Sequence, residues 1–242
     1  MTSRTGLPYH SGVDLTLVDL QVSRMGEIMA GEDELKLLGL SYEFVEQDLD
    51  NKSDLLLMSN PVYKKVPVLI HNGKPICESV VILEYIDDAY GTIGSSLLPA
   101  DPYERAIAWF WVDYIEHKLV IAWKVAFTAN GEEEKTEGIK QMLAGALTLE
   151  GSLKECSNGK PFFGGDSIGY VDIALGGLLA FLQGTEEPCG TKLFDITNTP
   201  HLVAWVERFI ALDAAKVALP DVDKLVEFAK IRRAQISASI KN

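Results

Sequence analysis

Apolar and polar residues alternate in two short stretches near the start of the chain, as they do in half-buried strands. The first stretch is Asp14–Val22 (DLTLVDLQV) and the second is Ser41–Gln47 (SYEFVEQ). Between them, Ser23 can cap a helix that carries apolar residues as far as Leu38 and ends at Gly39. The pattern therefore predicts a β-α-β unit, because two parallel strands need a crossover connection.

The central stretch, Asn60–Ser79 (NPVYKKVPVLIHNGKPICES), predicts a β-hairpin that leads into a helix. Pro67–Ile70 and Pro75–Cys77 are short strand runs separated by a turn, and the helix that follows covers Val80–Tyr90. Pro67 has no backbone N–H and cannot donate to a sheet ladder at its own position. The backbone next to it is therefore available to pair with an extended peptide.

The same stretch carries residue types that suit a small anionic peptide. Ser79 lies at the predicted helix start, where backbone amides lack intrahelical partners and the helix dipole is positive. Lys64 and Lys65 precede the proline and add positive charge. Each residue alone also fits an ordinary structural role, such as an N-cap serine or a surface lysine. Their order and spacing together favour the binding site.

Only the helical period appears from Asp101 to the end of the chain, which predicts an all-helical second domain. Asp101, Pro102 and Glu104 are typical of a helix start, with a capping carboxylate and a proline at the first position. Gly169 and Asp172 predict a second capped start, which serves folding rather than chemistry. A linker at residues 92–100 separates the two parts.

Composition and charge narrow the possible functions. The chain has 242 residues, of which 47% are hydrophobic and 24% charged, and its formal net charge of −13 argues against binding to nucleic acids or anionic membranes. Three cysteines without a CxxC pair and four histidines without metal spacing argue against a disulfide framework or a metal site. The start of the chain lacks the apolar core of a secretory signal, so we expect a cytoplasmic protein.

Three blocks of sequence together resemble the soluble glutathione S-transferases of the plant tau class. They are KKVPVLIHNGKPICES, LLPADPYERAIAWFW and FFGGDSIGYVDIALGG, and the likeness runs from about Leu40 to the end of the chain. The resemblance implies an N-terminal thioredoxin-like α/β domain (residues 29–91) followed by an all-α domain (residues 101–242). It also implies a homodimer that conjugates reduced glutathione to small hydrophobic electrophiles in detoxification. Glutathione is then a co-substrate, and no cofactor or metal is expected.

The resemblance also assigns roles to individual residues. In the family a valine or isoleucine before a cis proline pairs with the glutathione backbone, a Glu-Ser pair binds the γ-glutamyl end, and lysines hold the glycyl carboxylate. Carried onto this sequence, these glutathione-binding residues are Lys52, Lys65, Val66, Pro67, Glu78 and Ser79. Residues of the helix that begins at Pro102 line the second-substrate site in the family, which points to Trp111 and Tyr114. A core role fits Trp111 at least as well.

The first forty residues depart from the family pattern. Counting back without gaps from Lys52 puts the family's catalytic serine at Met25, and methionine cannot donate a hydrogen bond to a thiolate. Ser23 is the nearest hydroxyl at a strand-to-helix junction, although a plain helix cap explains it better. Alternatively, Met29–Gly39 is the family's first strand and the serine-bearing segment is lost, as in a misread gene model. Residues 1–28 are then an atypical segment that substitutes for the missing strand and helix start.

Two functions remain open from the sequence. The first is a glutathione transferase with impaired activation of the thiol, and the alternative is a non-catalytic, ligandin-like protein that binds glutathione or apolar ligands. Turnover with a general electrophile separates them. A redox enzyme of the same fold would need a cysteine near the first helix, and none precedes Cys77. An interaction protein with an inactive pocket would fail to bind glutathione at all.

Overall fold

The computed structural model describes residues 14–19, 35, 40–48, 51–91, 96–219 and 221–239. Its first part contains a mixed sheet with the strand order β2-β1-β3-β4. β1 is parallel to β2 and antiparallel to β3, and β3 and β4 form an antiparallel hairpin. The strands are β1 (Leu15–Asp19), β2 (Glu43–Glu46), β3 (Val68–His71) and β4 (Lys74–Cys77).

Helices α1 (Asp54–Ser59) and α2 (Ser79–Tyr90) complete the described part of this α/β domain. The second domain is helical, as predicted, and a π-helical turn at Ile115–Val120 joins its first two helices without a break. Its helices are α3 (Pro102–Tyr114), α4 (Ile121–Thr128), α5 (Glu132–Ser157), α6 (Tyr170–Gly176), α7 (Leu179–Gly184), α8 (Glu186–Cys189), α9 (Pro200–Ala211), α10 (Asp213–Ala218) and α11 (Val222–Ser239). None of the described helices is long and apolar enough to span a membrane.

The predicted first strand exists, and it is the buried centre of the sheet. β1 lies inside the predicted Asp14–Val22 and buries its side chains on both faces. Leu15 and Leu17 pack with residues of β3 and α2, whereas Val18 packs on the other face with Leu56 of α1 and with Val66. Because strand side chains alternate between the faces, five residues suffice to join the two apolar layers.

The predicted helix between β1 and β2 lies outside the described residues, except for Leu35. Leu35 is helical and fully buried, and its carbonyl accepts a hydrogen bond of 2.8 Å from the backbone N–H of Leu40. A helical Leu35 does not fit the alternative in which Met29–Gly39 forms the first strand. The proposed division of the chain at residue 28 stays a prediction.

Both predicted helix starts of the second domain are confirmed. The Asp101 carboxylate accepts hydrogen bonds from the backbone N–H groups of Tyr103 (2.9 Å) and Glu104 (3.0 Å) at the start of α3. At the second start, the Asp172 carboxylate accepts a hydrogen bond of 2.8 Å from the N–H of Gly169, and α6 ends at the Gly176-Gly177 pair. A Cβ atom on Gly176 would collide with the Phe209 ring, so close packing explains this glycine.

Two sets of polar contacts hold α2 against the second domain. The Tyr170 hydroxyl donates a hydrogen bond of 3.1 Å to the carbonyl of Val80. The buried Asp87 carboxylate accepts hydrogen bonds from the backbone N–H groups of Leu97 (2.7 Å) and Leu98 (3.1 Å), which precede α3. These contacts hold both ends of α2 against the second domain, and a crevice lies between the two domains.

Candidate glutathione site

The loop that enters the hairpin is organised by the buried side chain of Asn60. Its amide oxygen accepts a hydrogen bond from the Tyr63 backbone N–H (3.1 Å), and its amide nitrogen donates to the Lys65 carbonyl (3.0 Å). The backbone carbonyl of Asn60 also accepts from the Lys64 N–H at 2.8 Å. Lys64 adopts a left-handed conformation with φ of 54°. Asn60 therefore sets the path of the chain into Val66 and Pro67.

Val66 and Pro67 are joined by a cis peptide bond, as the resemblance implies. The Val66 side chain is buried against Val18, Leu56 and Val68, which orients its backbone. Among the residues that the structure describes, no backbone group pairs with the N–H or C=O of Val66. A bound extended peptide could therefore pair with this residue, as the sequence predicts.

The start of α2 lies directly after β4 and has an unusual backbone. Glu78 occupies the N-cap position with φ of 74° and ψ of 124°, and its side chain makes no capping hydrogen bond. A non-glycine residue with positive φ is strained and persists where the surrounding structure holds it. The helix begins at half-buried Ser79, so the amides of its first turn and the serine hydroxyl can bind a carboxylate.

Cys77 immediately precedes Glu78, and the surroundings of its thiol do not favour a role as a nucleophile. Its thiol donates a hydrogen bond of 3.5 Å to the carbonyl of Ser59. Burial raises the pKa of the thiol, and the negative charge of Glu78 raises it further. Since the thiolate is the reactive form, Cys77 stays a protonated, structural residue.

The two predicted lysines lie on the side of the Asn60 loop. Lys52 donates a hydrogen bond of 2.8 Å from Nζ to the carbonyl of Lys64, which ties the segment before α1 to the loop. An ammonium group has three donors, so two remain for a ligand. The Lys65 side chain is exposed beside this contact. The structure thus brings Lys52 and Lys65 to the same loop.

The crevice between the domains is a cavity of about 590 Å³. Glu78 and Ser79 lie at its floor, and the facing wall comes from α3, the π-helical turn and α6. The lining residues from that wall are Trp109, Val112, Asp113, Glu116, His117 and Tyr170. A volume of this size accommodates a small organic ligand.

Glu116, on the π-helical turn, contributes a buried carboxyl group to the crevice. In the described part of the chain, its Oε1 atom is buried and has no hydrogen-bond partner. Burial raises the pKa of this carboxyl most strongly; the positive charges of Lys124 and His117 oppose the rise, while Glu78 and Asp113 support it. π-helical turns within α-helices often occur at functional sites, and Glu116 is one of two candidate site residues that the sequence did not indicate.

Among the predicted site residues that the structure describes, Glu78 and Ser79 line this crevice, whereas Lys52, Lys65, Val66, Pro67, Trp111 and Tyr114 do not. Trp111 and Tyr114 contact each other edge-to-face at 5.6 Å between ring centroids, and neither lines the cavity. Trp111 instead lines a separate cavity next to Cys156. The assignment of both residues to the second substrate stays a prediction. Ser23, the predicted catalytic residue, lies outside the described residues.

Asn60, like Glu116, was not recognised as a site residue from the sequence. The Asn60-Pro61 pair predicted only a turn, and nothing local indicated that the amide would bond to Lys65 five residues later. Glu116 stands in the polar run Glu116-His117-Lys118, which reads as a solvated helix face. An irregular helical period around the π-helical turn was the signal that could have indicated it.

Comparisons with known proteins agree with this geometry. The family model for the glutathione S-transferase N-terminal domain matches residues 33–88, and the model for the C-terminal domain matches residues 103–213. The chain is 48% identical to a probable glutathione S-transferase of Oryza sativa, GSTU6, over 83% of this chain and 94% of the relative. It is 49% identical to glutathione S-transferase U17 of Arabidopsis thaliana, over 81% and 86% of the two chains.

Solved structures show the same relationship. The tau-class glutathione S-transferase of mango superposes with a TM-score of 0.84 at 44% identity, covering 90% of this chain and 98% of the mango chain. A rice glutathione S-transferase, solved in complex with glutathione, superposes with a TM-score of 0.79 at 33% identity, over 92% and 97% of the two chains. The chain described above therefore belongs to the tau class of plant glutathione S-transferases.

Proposed function

We propose that this chain conjugates reduced glutathione to small apolar electrophiles, with weakened activation of the thiol. The observation that carries the proposal is the backbone of Val66, which has no pairing partner among the described residues and lies beside the Glu78–Ser79 helix start. Glutathione is the co-substrate, and the proposed reaction needs no cofactor and no metal ion.

The geometry supports one orientation of glutathione. The backbone of its cysteinyl residue pairs with Val66, as a strand would, which places the thiol toward the crevice. The γ-glutamyl end lies at the start of α2 between Glu78 and Ser79, where free amides and the helix dipole favour a carboxylate. The glycyl carboxylate lies toward Lys52 and Lys65, on the loop that Asn60 organises.

The proposed reaction is the attack of the glutathione sulfur on an electrophilic carbon. A new S–C bond forms, the thiol proton leaves to water, and the displaced group departs with its electron pair. The thiolate forms readily only when a hydroxyl donor or a helix N-terminus lowers the pKa of the thiol. Met25 cannot supply that hydrogen bond, which leaves Ser23 or a water molecule as the donor. Losing one well-placed donor costs roughly a hundredfold in rate.

The direct test is conjugation of glutathione to 1-chloro-2,4-dinitrobenzene, with glutathione-resin binding measured on the same sample. We expect binding together with slow turnover. Binding without turnover would instead favour the ligandin-like alternative, a carrier of glutathione or apolar ligands. Failure to bind the resin would refute both functions.

Ser23→Ala tests the catalytic donor. We expect it to lower turnover while leaving glutathione binding and thermal stability unchanged, because the hydroxyl acts on the thiol rather than on the peptide. Ser11→Ala, a serine well upstream, is the matched control and should keep the parent rate. Equal rates for the parent and Ser23→Ala would remove Ser23 from the mechanism.

We also propose a cytoplasmic homodimer. All three cysteines are free, which suits a reducing compartment. α2 and α3 expose large apolar side chains, at Val81 on α2 and at Trp109 and Phe110 on α3, and a second copy of the chain can cover them. Light scattering should give twice the mass of one chain, and Val81→Glu should shift the measured mass toward that of the monomer.

A fluorescent fusion tests the cytoplasmic location, and an organellar signal would contradict that location.

A further inference from the structure

A second cavity lies on the opposite side of α3 from the glutathione crevice. It has a volume of about 380 Å³ and is enclosed by α3, the end of α5, the loop that follows α5, and the start of α6. The α3 residues that line this cavity recur at helical spacing, and so do the α3 residues that line the crevice, but at other positions. The two sets therefore occupy different faces of the helix. Those of the second cavity are Tyr103, Glu104, Ile107, Ala108 and Trp111, and the two cavities share no lining residue.

The walls of the second cavity are largely aromatic and apolar. Trp111, Phe163 and Tyr103 contribute rings, and Ile107 and Val171 contribute aliphatic surface. Phe163 and Val171 are buried in the core of the helical domain, so this part of the wall is rigid. Small-molecule sites combine such walls with a few polar groups.

One of those polar groups is the hydroxyl of Ser157, the last residue of α5. Ser157 is 3% exposed and lines the cavity. Among the described residues, its hydroxyl has no hydrogen-bond partner, although its backbone carbonyl accepts from the Lys160 N–H at 3.0 Å. The hydroxyl can therefore donate to, or accept from, a ligand in the cavity.

Charges around the cavity disfavour an anionic ligand. Glu104 contributes a carboxylate, and the carbonyl end of the 26-residue helix α5 adds partial negative charge. The cation that lines the cavity, Lys160, is already paired with Asp166 at 2.7 Å. A neutral ring that carries an O–H donor is complementary to these groups.

We propose that this second cavity binds a neutral phenol, whose ring lies against Trp111 and Phe163 and whose hydroxyl bonds to Ser157. The site is separate from the glutathione crevice, and binding there does not depend on the transferase activity.

Calorimetric titration with 2-naphthol, in the presence of saturating S-hexylglutathione to fill the crevice, tests the proposal. We expect saturable binding that S-hexylglutathione does not displace. Ser157→Ala should weaken it about two- to tenfold, the range expected for one hydrogen bond. Ile107→Trp should abolish measurable binding by filling the cavity. Absence of binding to the parent protein, or displacement by S-hexylglutathione, would overturn the proposal.

Two matched controls sharpen this test. Ser152→Ala removes another buried serine of α5, whose hydroxyl donates to the Leu149 carbonyl at 2.9 Å and does not line the cavity. It should keep the parent affinity for 2-naphthol. 2-Naphthalenesulfonate has the same ring system with an anionic group and should bind at least tenfold more weakly. Equal binding of the sulfonate, or equal losses in both serine variants, would contradict the assignment.

Cys156 provides a readout that reports the location of the ligand. Its half-buried thiol lines the second cavity, whereas Cys77 lies in the other domain. Bound 2-naphthol should slow alkylation of Cys156 by iodoacetamide and leave the rate at Cys77 unchanged, as followed by peptide mass spectrometry. Unchanged alkylation of Cys156 at saturating 2-naphthol would place the ligand elsewhere.

Discussion

Strand β1 and the segment Asn60–Ser79 contribute to the same sheet, but the structure constrains their amino-acid sequences in different ways. β1 lies before the region matched by the family model, which starts at residue 33, and still pairs with β2 and β3. The Asn60–Ser79 segment lies wholly inside the matched region. It depends on a buried amide, a cis proline bond and a glutamate with positive φ.

The difference shows what each region has to supply. A central strand needs apolar side chains on both faces and backbone groups that can form the hydrogen bonds of the sheet. Many sequences provide these. The segment around the crevice needs particular functional groups at particular backbone angles, so few sequences provide it. A fold can therefore accept many different sequences in its first strand, while the loop around the crevice stays recognisable.

The largest effect is expected for a charge in β1. Leu17 is fully buried between β3 and α2, so Leu17→Asp should destabilise the protein by more than about 4 kcal/mol, because an unpaired carboxylate loses its hydration. Leu17→Ile is the control and should cost less than about 1.5 kcal/mol. Urea denaturation followed by circular dichroism measures both. Similar stability for the two variants would show that β1 is dispensable.

Asn60→Ala should cost about 1–3 kcal/mol, because it removes the partners of the Tyr63 N–H and the Lys65 carbonyl. It should also weaken glutathione binding, since the loop then no longer fixes Val66. The exposed Asn51 offers the matched control, and Asn51→Ala should leave both properties unchanged in denaturation and resin-binding assays. A stable variant with parent affinity would mean that the loop does not depend on Asn60.

Ser79→Ala is expected to act on binding and not on folding. Loss of the hydroxyl at the start of α2 should weaken glutathione binding about tenfold, as expected for a hydrogen bond to a carboxylate. Ser79→Thr keeps the hydroxyl and should retain most of the affinity. Calorimetry measures both variants, and full affinity in Ser79→Ala would remove the serine from the site.

The smallest effect concerns Glu116, which faces the crevice from the helical domain. Burial raises the pKa of its carboxyl above the ordinary 4.5, so the folded state holds this proton more tightly than the unfolded state. Its contribution to stability is complete below pH 4.5 and is lost as the pH rises through the folded-state pKa. Glu116→Gln should therefore be more stable than the parent at neutral pH and close to it at pH 4.

Thermal melts across this pH range check the prediction for Glu116. Glu207→Gln, at an exposed position of α9, is the control and should follow the parent at every pH. If Glu116→Gln keeps a constant difference from the parent between pH 4 and pH 7, the carboxyl does not titrate in this range.

Much of the fold is predictable from the sequence, because its signals are local. The hairpin, α2, the capping by Asp101 and the helical second domain each depend on residues within a few positions of one another. The contacts of Asp172 show the limit of prediction from local signals. Its bond to the Gly169 N–H is local, but its carboxylate also accepts from the Trp205 indole N–H at 2.7 Å, which lies 33 residues away.

The sequence by itself determined the order of the main elements, the family and the loop that we propose as the glutathione site. The tertiary structure decided which side chains meet around that loop. Glu116 and Ser79 line the same crevice, whereas Trp111 lines another cavity, because the packing of α3 against α6 sets which face of α3 turns toward the crevice. Helical spacing defines the faces of α3, but contacts between residues distant in sequence choose their orientation.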